Sequence, residues 1–186
     1  MTIRALAPAG LLLTLALPAS AAHWTVDRAK SRLGFSVMWD RELFSGTFEK
    51  WNADIDFDPD DLAHSHVAVA IDLASEHSNE AQFDEGLKGA LGFQTSKFPD
   101  GRFKTTRITR KDATHYVAEG MLTLRGITKP VTLPFTLTAA GGVAHMHGEA
   151  AVMRTDFGIG RGPWAEPKPV ARTVTVSVDL TASESK

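Results

Sequence analysis

Apolar and polar residues alternate along most of this chain, the period of a strand with one buried face. Leu33, Phe35 and Val37 set the rhythm, and Val67, Val69, Ile71 and Leu73 repeat it. Val131, Leu133, Phe135 and Leu137 do the same, as do Val174, Val176, Val178 and Leu180 near the end. This alternation predicts strands over 23–26, 32–38, 66–73, 102–109, 115–124 and 143–152, besides the two runs just given. From Phe44 to Phe57 the parity switches midway. Phe44, Gly46 and Phe48 hold one phase, and Trp51, Ala53, Ile55 and Phe57 hold the other. One long strand with a bulge near Lys50 restores a common facing, as a barrel corner requires. Residues 39–43, 58–61 and 98–101 read as turns, and Phe157–Pro169, interrupted by Gly158, Gly160, Gly162, Pro163 and Pro167, reads as a loop.

One segment breaks the pattern. Within Asn79–Leu91, Phe83, Leu87 and Leu91 stand at i, i+4 and i+8, which stacks them on one helical face, and Asn79 suits the N-cap. Gly86 and Gly89 weaken that helix by up to about 1 kcal/mol each relative to alanine, so its stability has to come from packing. Eight or nine strands with hairpin spacing and one amphipathic helix predict an all-β closed sheet with one covered mouth. Phe83, Leu87 and Leu91 are expected to face that mouth. Such a shape holds a ligand more readily than it performs chemistry.

The first 21 residues stand apart. Arg4 precedes an apolar run over 5–17, and Ala19-Ser20-Ala21 is a small-x-small cleavage signature. This predicts a signal peptide over 1–21, cleavage near Ala21 or Ala22, and an exported domain over 22–186. Nothing later in the chain has the length of apolar sequence a spanning helix needs, so no stable membrane insertion is expected. Removing 21 of 186 residues leaves 165, a single-domain length that buries roughly 70% of its unfolded surface. The chain has no cysteine, which excludes disulfides, thiol catalysis, thiolate metal sites and a lipoprotein anchor. Without Arg4, 19 Lys and Arg face 22 Asp and Glu, so the expected exported domain is mildly acidic and no nucleic-acid partner is expected.

Candidate chemistry is sparse. His64 and His66 stand two apart, as do His145 and His147, and two such pairs could ligate a metal. The opposite parity around the second pair is Ala144, Met146, Gly148 and Ala150, a small-residue wall that would leave the imidazoles outside. They read as solvent-facing strand histidines, and no metal ligand is assigned. Asp54, Asp56, Asp58, Asp60 and Asp61 invite a calcium reading, but the EF-hand glycine falls on Pro59 and its twelfth position on Ser65, so an exposed acidic strand edge is expected. Gly158, Gly160 and Gly162 lack the strand-to-helix context of a nucleotide loop, and no Gly-x-Ser-x-Gly elbow occurs. The chain is read as a binding protein with no catalytic residue.

Three motifs together resemble the YceI-like family of exported lipid-binding proteins. The strongest is Leu122-Thr-Leu-Arg-Gly-Ile-Thr-Lys-Pro-Val-Thr-Leu133. The second is Asp84 and Leu87, followed by Phe93 and Lys97-Phe98-Pro99, and the third is Ser31 through Phe35 with Gly46-Thr47-Phe48. The resemblance spans Trp24 to Leu180. It implies a lipocalin-like antiparallel eight-stranded barrel with one helix over a mouth, a periplasmic home, and an apolar tunnel for a polyisoprenoid, an isoprenoid quinone or another long-chain lipid, with no other cofactor. The expected tunnel residues are Phe35, Val37, Trp39, Phe48, Trp51, Phe83, Leu87, Leu91 and Phe93, although core and tunnel share a parity and the sequence alone does not separate them. Four positions depart from the family pattern. Trp39 stands where relatives usually have His, and Phe83-Asp84-Glu85-Gly86-Leu87 replaces Arg-Asp-x-His-Leu, changes that point to a different or less polar ligand. Arg125-Gly126 replaces Asn-Gly, and arginine tolerates a positive φ poorly, which weighs against a type I′ turn there. A second functional reading is an interaction or stress-response module that presents a quinone to a membrane redox partner through an exposed Trp164 loop, Arg161–Pro169.

Overall fold

Eight barrel walls arise from eleven strands, because three long strands bend. β1 (His23–Val26) and β2 (Arg32–Trp39) are two halves of one strand, parted by a single helical turn at Arg28–Lys30. β3 (Glu42–Phe48) and β4 (Trp51–Asp56) are parted at residues 49–50, where the parity switch predicted a bulge. β5 (His66–Asp72) and β6 (Glu76–Ser78) are parted by a turn at Leu73–Ser75. The remaining strands run unbroken: β7 (Asp100–Arg110), β8 (His115–Leu124), β9 (Ile127–Ala140), β10 (Val143–Met153) and β11 (Thr173–Glu184). The structure is a computed structural model that describes residues 21–185. The expected signal peptide lies outside those residues except for Ala21.

Antiparallel pairing runs β1–β4–β5–β7–β8–β9–β10–β11, and β11 closes on β1. Past the bends β11 also pairs with β2, β2 with β3, and β3 with β6. The fold is therefore the closed, lipocalin-like eight-stranded barrel that the resemblance implied, with a single α-helix, α1 (Ala81–Lys88), among the described residues. No helix among them is long and apolar enough to cross a membrane.

At three inward positions a glycine leaves room for an aromatic side chain on the adjacent strand. A Cβ on Gly46 would strike the Phe35 ring, one on Gly120 the Phe103 ring, and one on Gly148 the Phe135 side chain. Each glycine clears the space its neighbour's aromatic group fills. At the β8–β9 hairpin Arg125 and Gly126 adopt φ of 51° and 73°, so the left-handed pair of a type I′ turn forms despite the arginine. The guanidinium offers a compensation, donating to the carbonyls of Ala90 and Gly92.

The helix differs from its prediction at both ends. It begins at Ala81 with Glu80 in the N-cap position and no side-chain cap, so Asn79 does not cap it. It ends at Lys88, where the Gly89 amide donates to Glu85 and Gly86. Leu91 therefore lies in the turn beyond the helix, not on its face. Two glycines in four positions leave too little propensity to carry the helix another turn. The lead-in to the helix also holds the short strand β6, for which the alternation predicts no strand.

Candidate ligand-binding cavity

A cavity of about 310 Å³ runs through the barrel interior. Every wall contributes, for example Ile55 from β4, Val69 from β5, Leu133 from β9 and Val176 from β11. At one end the aromatic rings of Phe57, Tyr116 and Phe135 pack in series, with centroids 5.6 and 5.4 Å apart, and Trp24 Nε1 donates to the Phe57 carbonyl at 3.0 Å. At the other end α1, the turns over 89–99 and the connection between β10 and β11 form a cover.

Eight of the nine expected tunnel residues line this cavity: Phe35, Val37, Phe48, Trp51, Phe83, Leu87, Leu91 and Phe93. Phe35, Phe48 and Phe93 form an aromatic file at 5.5 and 5.9 Å. Phe83 and Leu87 are half-buried and pack on the main core cluster from α1, while Leu91 is 41% exposed at the rim. Trp39 does not line the cavity. It stands at the end of β2 and packs edge-on against Phe83 at 5.7 Å and against Trp164 at 5.9 Å. The rim is thus a chain of rings, Phe44–Phe83–Trp39–Trp164, that joins the β2–β3 hairpin, α1 and the closing connection.

Trp164 corrects a second expectation. It is half-buried, lines the cavity, and reaches to within 3.8 Å of where a Cβ on Gly86 would stand. The Arg161–Pro169 segment therefore turns its aromatic side chain inward and does not present it as a contact surface.

Sequence reasoning missed Arg154. It follows β10, is 5% exposed, and is the one charged residue among the described residues lining the cavity. Its guanidinium faces no carboxylate within ion-pair reach among the described residues. Nε donates to Ala171 O at 2.8 Å, Nη1 to Ile159 O and Gly160 O, and Nη2 to Trp164 O at 2.6 Å, Glu166 O and Val170 O. Burial pulls its pKa down, as does the nearby Arg172. All of its donors serve carbonyls of the β10–β11 connection. The available signal was indirect: a glycine-rich loop with few side chains of its own needs some other group to satisfy its backbone.

A second polar group lies behind α1. Asp84 accepts from the Ser78 amide at 3.0 Å and from the Ser78 hydroxyl at 2.5 Å, and lies 3.3 Å from His77 Nδ1. Glu76 is 3% exposed beside it, with neither carboxylate oxygen accepting a hydrogen bond among the described residues. Burial first, then the proximity of Asp84, raises the Glu76 pKa to about 8. Burial alone would raise Asp84 too, but the Ser78 hydroxyl and amide outweigh it and hold that carboxyl below its usual value.

The two histidine pairs do not meet. β5 and β10 stand on opposite walls, and both members of the second pair are exposed and point outward. His145 Nδ1 lies 3.2 Å from Thr181 Oγ1, and His147 Nδ1 lies 2.6 Å from Asp179. The only hydroxyl side chain lining the cavity among the described residues is Thr105, which is tied to the Val67 backbone by a 2.8 Å bond from the amide and a 3.3 Å bond to the carbonyl.

Comparison with known proteins agrees with this architecture. The model of the YceI-like domain matches residues 24–182. A UPF0312 protein of Photorhabdus laumondii is 35% identical over 136 residues, covering 72% of this chain and 70% of the relative. The crystal structure of Burkholderia cenocepacia BcnA superposes with a TM-score of 0.82 at 27% identity, covering 86% of this chain and all of that one. A polyisoprenoid binding domain from Saccharophagus degradans superposes with a TM-score of 0.69 at 13% identity, covering 88% of this chain and 99% of that one.

Proposed function

Because the chain belongs to the YceI-like family, we propose that its barrel binds an extended isoprenoid lipid, a polyisoprenoid or the tail of an isoprenoid quinone, and carries or sequesters it in the periplasm without catalysis. The observation that carries this reading is the lining of the cavity. About 310 Å³ of space is enclosed almost wholly by apolar side chains, at the lower end of the ~300–1,000 Å³ typical of small-molecule sites. The one charged side chain there, Arg154, has its donors committed to backbone carbonyls. Recognition then rests on burial, and each methylene taken from water contributes about 0.8 kcal/mol, so a long chain binds tightly with few polar contacts.

Binding is favoured over chemistry for a second reason. The lining offers no carboxylate, imidazole or free hydroxyl among the described residues that could act as a base or nucleophile. The name of the Saccharophagus degradans domain agrees with a polyisoprenoid as the ligand class. The leader-like sequence over 1–21 and the family resemblance support export to the periplasm.

The test is mass spectrometry of organic extracts from protein purified without detergent, followed by titration with polyprenols and a quinone. The expected result is a co-purifying isoprenoid, or saturable binding of an added one. Repeated extraction of no lipid, together with no binding of either class, would overturn the reading.

A further inference from the structure

The outer face of the barrel carries a second cluster, far from the cavity chemistry. His23, Asp56 and His66 are cross-strand neighbours in one row over β1, β4 and β5: His23 is directly opposite Asp56, and Asp56 directly opposite His66. Trp24, Ile55 and Val67 turn into the cavity, so the intervening parity turns these three side chains outward. Asp54 stands two residues before Asp56 on the same face, and its partner on β5 is Ala68, which leaves the space beside it open.

Three of the four donors already converge, and the fourth, His66 Nε2, meets the set through Asp56. His23 Nδ1 lies 2.9 Å from Asp56 Oδ1 and 3.7 Å from Asp54 Oδ1, and His66 Nε2 lies 3.1 Å from Asp56 Oδ2. The donors of His23, Asp54 and Asp56 all lie within 4.8 Å of one another. A tetrahedral ion with ligands at about 2.0–2.1 Å needs donors about 3.3 Å apart, and these separations bracket that value. Among the described residues the ion pairs of Asp54 and Asp56 are with imidazoles alone, so no lysine or arginine competes for the carboxylates. Asp58, Asp60 and Asp61 follow directly and add negative potential to this end of the barrel. Other histidines on the surface, such as His115 and His147, each meet a single carboxylate. Among the described residues, only here do two imidazoles flank one carboxylate, with a second carboxylate beside it.

We propose that His23, Asp54, Asp56 and His66 form a binding site for one divalent transition-metal ion of the zinc class. Two nitrogen donors favour such an ion over calcium or magnesium, which take oxygen ligands. The site spans the shortest seam in the barrel, since β1 pairs with β4 through two residues, His23 and Trp24. An ion held by β1, β4 and β5 together clamps that seam, so metal binding stabilises the closed barrel by mass action.

The test uses protein without a polyhistidine tag and zinc chloride alone as the probe, followed by calorimetric titration and by melting temperature. One zinc ion per chain is expected, with a rise in melting temperature. His23→Ala, Asp56→Asn and His66→Ala should each weaken binding at least tenfold and remove the rise, while His147→Ala leaves both intact. All four positions are exposed or half-buried on the outer face, and the melting curve without zinc reports whether each variant is folded. No saturable binding to the unsubstituted protein, or an unchanged affinity in any of the first three variants, overturns the proposal.

Discussion

Glu76 and Asp84 are neighbouring carboxyls behind α1, and the pair shares a hydrogen bond only when one of them, Glu76 by its raised pKa, holds a proton. With its pKa raised to about 8 from 4.5, Glu76 keeps that proton in the folded barrel where the unfolded chain has lost it. The folded state thus binds more protons between those values, and stability falls as pH rises from about 4.5 through about 8. Asp84 acts in the opposite sense. Its lowered pKa gives stability that is present above 3.8 and lost as pH falls through the folded value. Melting temperature measured from pH 4 to pH 9 should therefore decline toward the alkaline end, and Glu76→Gln should flatten that decline. Equal slopes in both proteins would show that Glu76 is ionised in the fold.

Leu87 reaches from α1 into the cavity, half-buried. Leu87→Ala should cost about 2 kcal/mol, the lower end for truncating a leucine in a core, and should speed lipid exchange. Urea denaturation reads the first effect, and displacement of a fluorescent lipid reads the second. If neither changes, α1 is not a packed cover.

Gly86 tests the same cover in the opposite direction. Its Cβ position meets Trp164 at 3.8 Å, an ordinary contact, and its backbone is helical. Gly86→Ala should stabilise the protein by up to about 1 kcal/mol through helix propensity and should slow lipid exchange. A lower melting temperature would mean that the helix and the closing connection need the gap between them.

Arg154→Met should cost at least about 3 kcal/mol, because several buried carbonyls lose their donor together and each carries a desolvation penalty of about 1–3 kcal/mol. Limited proteolysis should then cut within residues 158–171 of the variant and spare them in the unsubstituted protein. A protease-resistant variant of unchanged stability would mean that the connection satisfies its own backbone.

The walls of the barrel were legible because strand parity is rigid: Val131, Leu133, Phe135 and Leu137 must share a face, and in a closed sheet that face is the interior. The same rule misplaced Trp39. It continues the parity of Phe35 and Val37, but β2 outruns the rim there and the ring meets Phe83 and Trp164 instead. Leu91 was assigned by helical spacing to a helix that Gly89 had already ended. Arg154 and Glu76 were not legible at all. A charged residue beside a strand end reads as surface, and only tertiary packing of the connection or of α1 turns either one inward.

The edge of β6 has a consequence for association between molecules. β6 pairs with β3 on one side only, and a three-residue strand with a bare edge is a template on which another chain can extend the sheet. Asp84 occupies that position. Its carboxylate takes the Ser78 amide as a neighbouring carbonyl would, and the Ser78 hydroxyl takes the amide of Glu80. The side chain that anchors the helix therefore also serves as a blunt end to the sheet, protecting the open rim from strand addition and the aggregation that follows it.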